Sequence, residues 1–365
     1  MPTDRPSFIE ELRSKTQNVP HKQRMHSAMR TLLLQDPSRA LFYVKPADAW
    51  LKEEYSKPDA RKLLGSLWYE QELCILFADT NLGKSVLAVQ IGDCLSKQSG
   101  IEPFGSEVDE PLKVLYIDFE LSPAQFKARY TDSTWGPHRF GENFIRAEFN
   151  PRGDDPELYD RYEDYVRDRI ETIIEASKSR VLIIDNITYM GSPTAYGGSA
   201  LQLMKTLKAL KIKHKLSVLV LAHTPKRNPY KPITVNDLQG SKMLINFADS
   251  AFALGQSQQQ PELRYLKQIK QRNTRPQYDA QHICLLRMHK QQSFLGFQFE
   301  GFDDEQHHLC KIGTAISPEV KQRIPELARQ GLTNRQIADY LRIGETTVRR
   351  VRAKLEEGDG DEGVK

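Results

Sequence analysis

The sequence has little of what a secreted or membrane-spanning protein needs. Its 365 residues include four cysteines, widely spaced and without a C-x-x-C pair, which argues against a disulfide framework or a zinc site. No apolar run approaches the roughly 18 residues of a membrane span. The amino terminus, MPTDRPSFIEELRSK, has no apolar signal region. We therefore expect a cytoplasmic protein with no membrane partner.

The chain also lacks a strong net charge. Its formal charge of +4 at pH 7 is too small to imply a polyanionic partner by itself. The charge is unevenly distributed, however, because residues 317–354 carry nine basic and four acidic side chains, an excess of five. The carboxyl-terminal region is therefore the first place to look for nucleic-acid binding.

Strand and helix patterns alternate through the middle of the chain. Apolar strand patterns occur at 73–78, 113–120, 180–186 and 217–223, with helical patterns between them, and shorter alternating segments follow residue 250. This order predicts an α/β fold with a mainly parallel sheet and an antiparallel extension. The predicted division is a helical amino-terminal segment (1–60), an α/β domain (61–312), a small all-helical domain (313–355) and an acidic disordered tail (356–365).

The stretch ADTNLGKS lies between a strand pattern and a helix pattern. In the phosphate-binding pattern G-x-x-x-x-G-K-[ST], backbone N–H groups surround the phosphates, the lysine contacts the terminal phosphates and the hydroxyl binds magnesium. This sequence matches the G-K-S end but has alanine at the first position, which is tolerable where φ is not positive. We predict that the loop binds ATP and Mg²⁺ through Ala78, Asp79, Thr80, Asn81, Leu82, Gly83, Lys84 and Ser85.

Ionisable side chains end the neighbouring strand patterns, where parallel α/β sheets place their ligands. Asp185 ends VLIID and is the predicted second Mg²⁺ anchor beside Ser85. Glu120 ends VLYIDFE and could orient the water that attacks the γ-phosphate. Asp118 shares that strand face and remains an alternative, but Glu120 is nearer the carboxyl end of the strand. His223 ends SVLVLAH and could donate a hydrogen bond to the γ-phosphate.

The order of these motifs resembles the RecA-type P-loop ATPase core, specifically its RepA-like and DnaB-like hexameric helicase branch. The resemblance covers about residues 60–300 and is carried by ADTNLGKS, the strand-end acids, LAHTPKR, LQGSKMLINFADSAFAL and KQRN. It implies that Glu120 is the catalytic carboxylate, that Asp185 is the Walker B residue, and that His223 couples nucleotide state to a DNA-facing loop. Lys84 is the catalytic lysine of this scheme.

The KQRN segment gains a role only through that resemblance, because a solvated basic strand face would otherwise explain it. The resemblance implies that Lys270 and Arg272 act on the ATP of a neighbouring subunit in a homo-hexamer or other ring. Such a guanidinium would stabilise charge on the γ-phosphoryl group and make hydrolysis depend on assembly. Thr274 follows KQRN where the helicase motif usually has glycine.

Two regions are candidates for DNA contact. In ring ATPases of this type, loops after the Asp185 and His223 strands face a central channel that holds single-stranded DNA. The second loop carries cations that could follow a phosphate backbone without reading sequence, although a mobile surface loop with ordinary lysine content is the alternative. These cations are Lys226, Arg227, Lys231 and Lys242.

The carboxyl-terminal stretch GLTNRQIADYLRIGETTVRRVRAKLEE indicates a helix-turn-helix. Thr333 and Gln336 form a capping box at the start of one helix, and the pattern resembles homeodomain-like and regulator-type DNA-binding domains. The second helix of such a motif enters the major groove of duplex DNA. The contact candidates are Thr346, Thr347, Arg349 and Arg350. A protein-docking or oligomerisation tail is the alternative.

Together these motifs predict an ATP-hydrolysing motor that acts on DNA, a helicase or translocase of plasmid or mobile-element replication or mobilisation. A DNA-binding regulator or assembly ATPase that ATP switches without unwinding is the alternative. A small-molecule kinase is disfavoured, because its phosphate loop seldom comes with a KQRN segment that acts on another subunit.

Overall fold

The computed structural model describes residues 44–150, 159, 162–187, 198–225, 227–238, 242–310, 318–341 and 343–358. The chain divides into two compact units, Met1–Asp59 and Ala60–Lys365. The described part of the first unit contains helix α1 (Ala47–Tyr55). None of the described helices is both long and apolar enough to span a membrane.

The second unit alternates strands and helices as the sequence predicts. Its strands are β1 (Lys62–Leu64), β2 (Trp68–Tyr69), β3 (Leu73–Ala78), β4 (Val114–Asp118), β5 (Thr131–Asp132), β6 (Gly136–Pro137), β7 (Phe144–Glu148), β8 (Val181–Asp185), β9 (Ser217–His223), β10 (Ser250–Gln256), β11 (Leu263–Gln271), β12 (Ile283–Gln291) and β13 (Phe294–Asp303). Its helices are α2 (Lys84–Ser96), α3 (Pro123–Tyr130), α4 (Tyr162–Ser177), α5 (Gly198–His214), α6 (Lys242–Phe247), α7 (Pro318–Arg329), α8 (Asn334–Leu341) and α9 (Glu345–Gly358).

Nine of these strands form one sheet in the order β13-β12-β11-β10-β3-β9-β8-β4-β7. The strands from β10 to β7 are parallel, and β11, β12 and β13 continue the sheet antiparallel. The predicted strands correspond to β3, β4, β8 and β9. The prediction was wrong for β10, which was assigned to the antiparallel extension but pairs parallel with β3.

The central strands are apolar because helices cover both faces of the sheet. Every residue of β3, β4 and β8 is buried. On β3 the side chains alternate: Leu76 belongs to the core that contains the apolar side chains of α2, whereas Ile75 and Phe77 pack in the core that contains those of α4 and α5. Because these strands run parallel, their carboxyl ends lie along one edge of the sheet, where the motifs lie.

The helix-turn-helix region forms a three-helix core of its own. The buried side chains are Ile324, Leu327, Ile337, Ala338 and Val348. The predicted capping box is present, because the side chains of Thr333 and Gln336 each bind the backbone N–H of the other. Helix α9 continues to Gly358, so it includes the first three residues of the predicted disordered tail, and residues 359–365 lie outside the described residues.

Candidate nucleotide-binding site

The predicted phosphate loop joins the end of β3 to the start of α2. Gly83 is the N-cap of α2 and has a φ of 95°, a left-handed conformation that favours glycine. A Cβ added at Gly83 would lie 2.7 Å from the ring of Phe297, so the close approach of β13 also requires glycine. The loop therefore delivers the amino-terminal N–H groups of a 13-residue helix, which suits an anion.

Ala78 does not need the flexibility of the glycine that it replaces. It is the last residue of β3, pairs in register with His223 on one side and Leu254 on the other, and is 1% exposed. Its φ is not positive, unlike those of Asn81 and Gly83 later in the loop. The first position of the pattern is therefore an ordinary strand position here, and alanine fits it without strain.

Lys84 is the first residue of α2, and main-chain oxygens of the loop hold its ammonium group. Nζ donates hydrogen bonds to the carbonyl oxygens of Ala78 at 2.9 Å and Asp79 at 3.0 Å, and it lies 3.2 Å from Nδ1 of His223. Burial lowers the pKa of Lys84, while the carboxylates of Asp185 and Glu120 oppose that shift. The lysine is thus positioned among the carboxylates that the sequence assigns to the same site.

Glu120 and His223 are connected by the side-chain amide of Asn186, which follows the strand-end acid Asp185. The Nδ2 group of buried Asn186 donates a hydrogen bond to Oε1 of Glu120 and lies 2.9 Å from Nε2 of His223. Nε2 of His223 is also 3.3 Å from Oε1 of Glu120. Because Nδ1 of the same ring faces Lys84, the histidine connects the phosphate loop to the carboxylate.

Asp118 has a different environment, although it lies on the same strand. Its side chain is fully buried and pairs with Arg146 at 2.9 Å, and Oδ1 accepts the backbone N–H groups of Glu120 and Leu121. Both carboxylate oxygens are therefore engaged in holding the turn after β4. This geometry favours Glu120, whose side chain is 30% exposed, as the carboxylate available to a water molecule.

Asp185 has the features of a metal ligand. It is 1% exposed, and its Oδ2 accepts a hydrogen bond of 2.6 Å from the hydroxyl of Tyr116. Burial raises the pKa of Asp185 to about 6, although hydrogen bonds from Ser85 and Tyr116 oppose the rise. Within the described residues, buried Oδ1 has no hydrogen-bond partner of good geometry. A buried carboxylate that interacts with the Ser85 hydroxyl and has one oxygen without a well-formed hydrogen bond fits Mg²⁺, which prefers oxygen ligands.

A cavity of about 220 Å³ is lined by Lys84, Ser85, Glu120 and His223. Arg129, near the end of α3, lines it together with Met288 and Leu295 from the β12–β13 hairpin. The Nη1 group of Arg129 is buried and, among the described residues, has no hydrogen-bond partner. Sequence reasoning missed Arg129, since nothing in a single amphipathic helix turn marks it, whereas Asn186 could have been noticed directly after Asp185 in VLIIDN.

The structure does not bring Lys270 and Arg272 to the phosphate loop of their own chain. Gln271 between them pairs with Ser250, which is aligned with Cys74 near the start of β3, whereas the loop follows the end of β3. At roughly 3.3 Å per residue, the two positions lie on the order of 15 Å apart along the strand. The KQRN segment therefore occupies the opposite edge of the sheet.

The predicted DNA contacts in the loop after β9 are only partly accessible. The side chain of Arg227 is 13% exposed, donates to the carbonyl oxygen of Lys231 and lies 3.7 Å from Asp237. It is folded inward, contrary to the expectation of a free phosphate contact. Lys231 is exposed. Lys226 and the side chain of Lys242 lie outside the described residues.

The predicted contacts of the helix-turn-helix lie on the first two turns of α9. Thr346, Arg349 and Arg350 are exposed and Thr347 is partly buried. Arg349 forms an ion pair of 3.2 Å with Glu345, so its guanidinium is held along the helix surface. In a helix-turn-helix the second helix enters the major groove, so these side chains remain the predicted DNA contacts.

Comparison with known proteins assigns both domains. The AAA domain family matches residues 38–229, more than half of the chain. The chain belongs to the AAA domain family. The homeodomain-like domain family matches residues 316–365. A KaiC-like protein from the hyperthermophilic archaeon Pyrococcus horikoshii OT3 is similar in structure, with 13% identity and a TM-score of 0.45 over 66% of this chain and 100% of that chain. No curated protein sequence matches the chain.

The two family matches agree with the observed topology and confirm the predicted fold. The AAA domain has a RecA-like P-loop core with a mainly parallel sheet, and a homeodomain-like helix-turn-helix follows it. The AAA family and the DNA-binding type of domain together make this a DNA-associated ATPase.

Proposed function

We propose that this chain is an ATP-hydrolysing DNA motor of the RepA-like helicase type, which works with Mg²⁺ as a homo-hexamer or other ring in plasmid or mobile-element replication or mobilisation. The observation that carries the proposal is the division of the catalytic groups between two edges of one sheet. Lys84, Glu120 and His223 lie at one edge, and Arg272 lies at the other. A complete site then needs two subunits.

Hydrolysis would begin with the phosphates of ATP bound by the loop N–H groups and Lys84. Ser85 and Asp185 would hold Mg²⁺, which neutralises phosphate charge when bound. Glu120 would orient the attacking water and accept its proton, with Asn186 holding the carboxylate in place. The existing contacts of these side chains supply the orientation before substrate arrives.

His223 is suited to sense the γ-phosphate. One ring nitrogen faces Lys84 and the other faces Glu120 and Asn186, so a change at either group alters the hydrogen bonds of the ring. The segment that follows His223 contains a 3₁₀ helix at Val235–Asp237 and ends at α6. Loss of the γ-phosphate would therefore change the contacts of His223, which begins the segment that carries the predicted DNA-facing side chains, such as Lys231.

Binding to DNA would occur in two ways. The helix-turn-helix would hold duplex DNA through Thr346, Thr347, Arg349 and Arg350, and the loop after β9 would contact a single strand in the ring channel. The second candidate function, an ATP-switched DNA-binding regulator without unwinding, is favoured by the helix-turn-helix itself, because that domain suits stable binding to a duplex site.

Unwinding of a forked duplex tests the proposal against this alternative. A motor should displace a strand at a rate that depends on ATP, whereas a switch should bind the fork and change only its oligomeric state, measured by light scattering. Mixing Lys84→Ala with Arg272→Ala should restore part of the ATPase activity, since each variant supplies what the other lacks. Absence of rescue at every ratio would reject the shared site.

A further inference from the structure

A β-bulge in β11 places three cations on one side of the sheet, two from the strand and one from the residue after it. Lys270 pairs with Ala251 and Gln268 pairs with Phe252, so Ile269 is an extra residue in the ladder. The side chains of Gln268 and Gln271 consequently both donate to the carbonyl oxygen of Ser66. The cationic side chains of Lys267, Lys270 and Arg272 instead contact the segment between the sensor histidine and β10.

The first of these cations anchors the loop after β9. Nζ of Lys267 donates to the carbonyl oxygen of Ile233 at 2.8 Å and pairs with Glu305. Glu305 is fully buried, and its other oxygen accepts the backbone N–H of Ile233 at 2.7 Å. One loop residue is therefore held at both its N–H and its carbonyl by a buried ion pair.

The other two cations hold the carboxyl-terminal end of α6. Nζ of Lys270 donates to the carbonyl oxygens of Ile245 at 2.6 Å and Ala248 at 2.8 Å. Arg272 donates to the carbonyl oxygen of Asn246 at 3.0 Å and contacts Asp249 at 3.2 Å. Cations at this end of a helix satisfy its last carbonyl groups and its dipole. Burial lowers the pKa of Lys270, which agrees with its enclosed position.

Asp249 connects the carboxyl-terminal end of α6 to α5 and to β3. Its Oδ2 accepts hydrogen bonds from Lys211 of α5 at 2.8 Å and from the backbone N–H of Leu73 at 2.9 Å, while Oδ1 faces Arg272. The guanidinium of Arg272 is thus set by α6 and Asp249 together. About half of that side chain is still exposed, whereas both contacts of Lys270 are to main-chain carbonyls of its own subunit.

We propose that Lys270 is a positioning residue, which ties the end of α6 to β11 so that the segment after His223 and the guanidinium of Arg272 move together. Arg272 alone then reaches the neighbouring subunit. This inference rests on the proposed function, because it assigns a role relative to hydrolysis across the interface. It makes α6 the link between a loop that follows the nucleotide sensor and the group that completes the next site.

Hydrogen exchange on the full-length protein without nucleotide tests the anchor directly. The variant Lys270→Met keeps the aliphatic stem and removes both hydrogen bonds, so amides in 242–249 should exchange about five- to tenfold faster. The matched control is Lys213→Met, an exposed lysine of α5 paired with Glu171, which should leave exchange there unchanged. Unchanged exchange of 242–249 in Lys270→Met would overturn the proposal.

A double-variant cycle tests the connection to Arg272. If Lys270 acts through Arg272, the change Lys270→Met should lower DNA-stimulated ATPase activity in the wild-type background and have no further effect in Arg272→Ala. A further loss of about tenfold in the double variant would instead indicate an independent contact and reject the positioning role. Failure of the proposed function would be recognised separately, because the Lys84 and Arg272 variants would then not rescue each other. Faster exchange of 242–249 in Lys270→Met would still show that Lys270 anchors α6.

Discussion

Replacing Asp185 by asparagine should stabilise the protein while removing the proposed Mg²⁺ ligand. The carboxyl is 1% exposed and burial raises its pKa from 3.8 to about 6. A raised carboxyl pKa means that the folded state binds the proton more tightly than the unfolded state, so stability falls as pH rises from about 4 to 6. A shift of about two units corresponds to roughly 3 kcal/mol of destabilisation above pH 7.

Asparagine keeps the shape and an oxygen that can accept the hydrogen bond of Tyr116, but it carries no charge. Denaturant unfolding without Mg²⁺ should therefore show Asp185→Asn more stable than wild type by up to about 3 kcal/mol at pH 8 and by less than about 1 kcal/mol at pH 4. Exposed Asp48 provides a control, Asp48→Asn, that should show no such pH-dependent gain.

Adding Mg²⁺ and ADP should make the wild type more stable than Asp185→Asn, because only the wild-type carboxylate would gain binding energy from the metal. Equal unfolding free energies at pH 8, or a gain in Asp185→Asn that does not depend on pH, would refute the reasoning. A gain that survives saturating Mg²⁺ and ADP would refute the assignment of the carboxylate to the metal.

Three other changes test the remaining assignments. Ala78→Gly should be neutral or cost up to about 1 kcal/mol in urea unfolding, because Ala78 occupies an ordinary strand conformation, and a clear gain would indicate strain. Glu120→Gln should bind ATP but hydrolyse it about 100-fold more slowly in a single-turnover assay, whereas Asp118→Asn should mainly lose stability; the opposite pattern would exchange their roles. Deleting 314–365 should weaken duplex binding, measured by fluorescence anisotropy, and keep basal ATPase activity; unchanged affinity would favour a docking tail.

The edge of the sheet where the proposed catalytic groups meet could be predicted from the sequence, because the direction of the strands determines where they end. The strand patterns that end in Glu120, Asp185 and His223 are separated by helical segments, and such strands run parallel and end at one edge. The loop could be recognised because its chemistry is local in sequence. The antiparallel assignment of β10 was wrong because a short apolar pattern does not indicate whether a strand runs parallel or antiparallel to its neighbour.

Contacts between side chains on different strands could not be predicted in the same way. Arg146 of β7 forms an ion pair with Asp118. Strand β7 is the last strand at one side of the sheet, and its half-buried FIRAE pattern gives a weak strand signal. The bond between Asn186 and Glu120 depends on the rotamers of two residues that are 66 positions apart. The orientation of Lys270 depends on a bulge at Ile269, which no turn residue marks in the sequence.

The separation of Arg272 from the phosphate loop has a consequence for symmetry. If the guanidinium acts on another subunit, each chain supplies Arg272 at one edge of its sheet and receives the neighbour's Arg272 at the other, beside its phosphate loop. Contacts between subunits must therefore be head-to-tail. A two-fold dimer would join like edges and complete neither site. Successive subunits must close into a ring or leave one unfinished site at the end of an open array, and activity per subunit would rise with the length of that array.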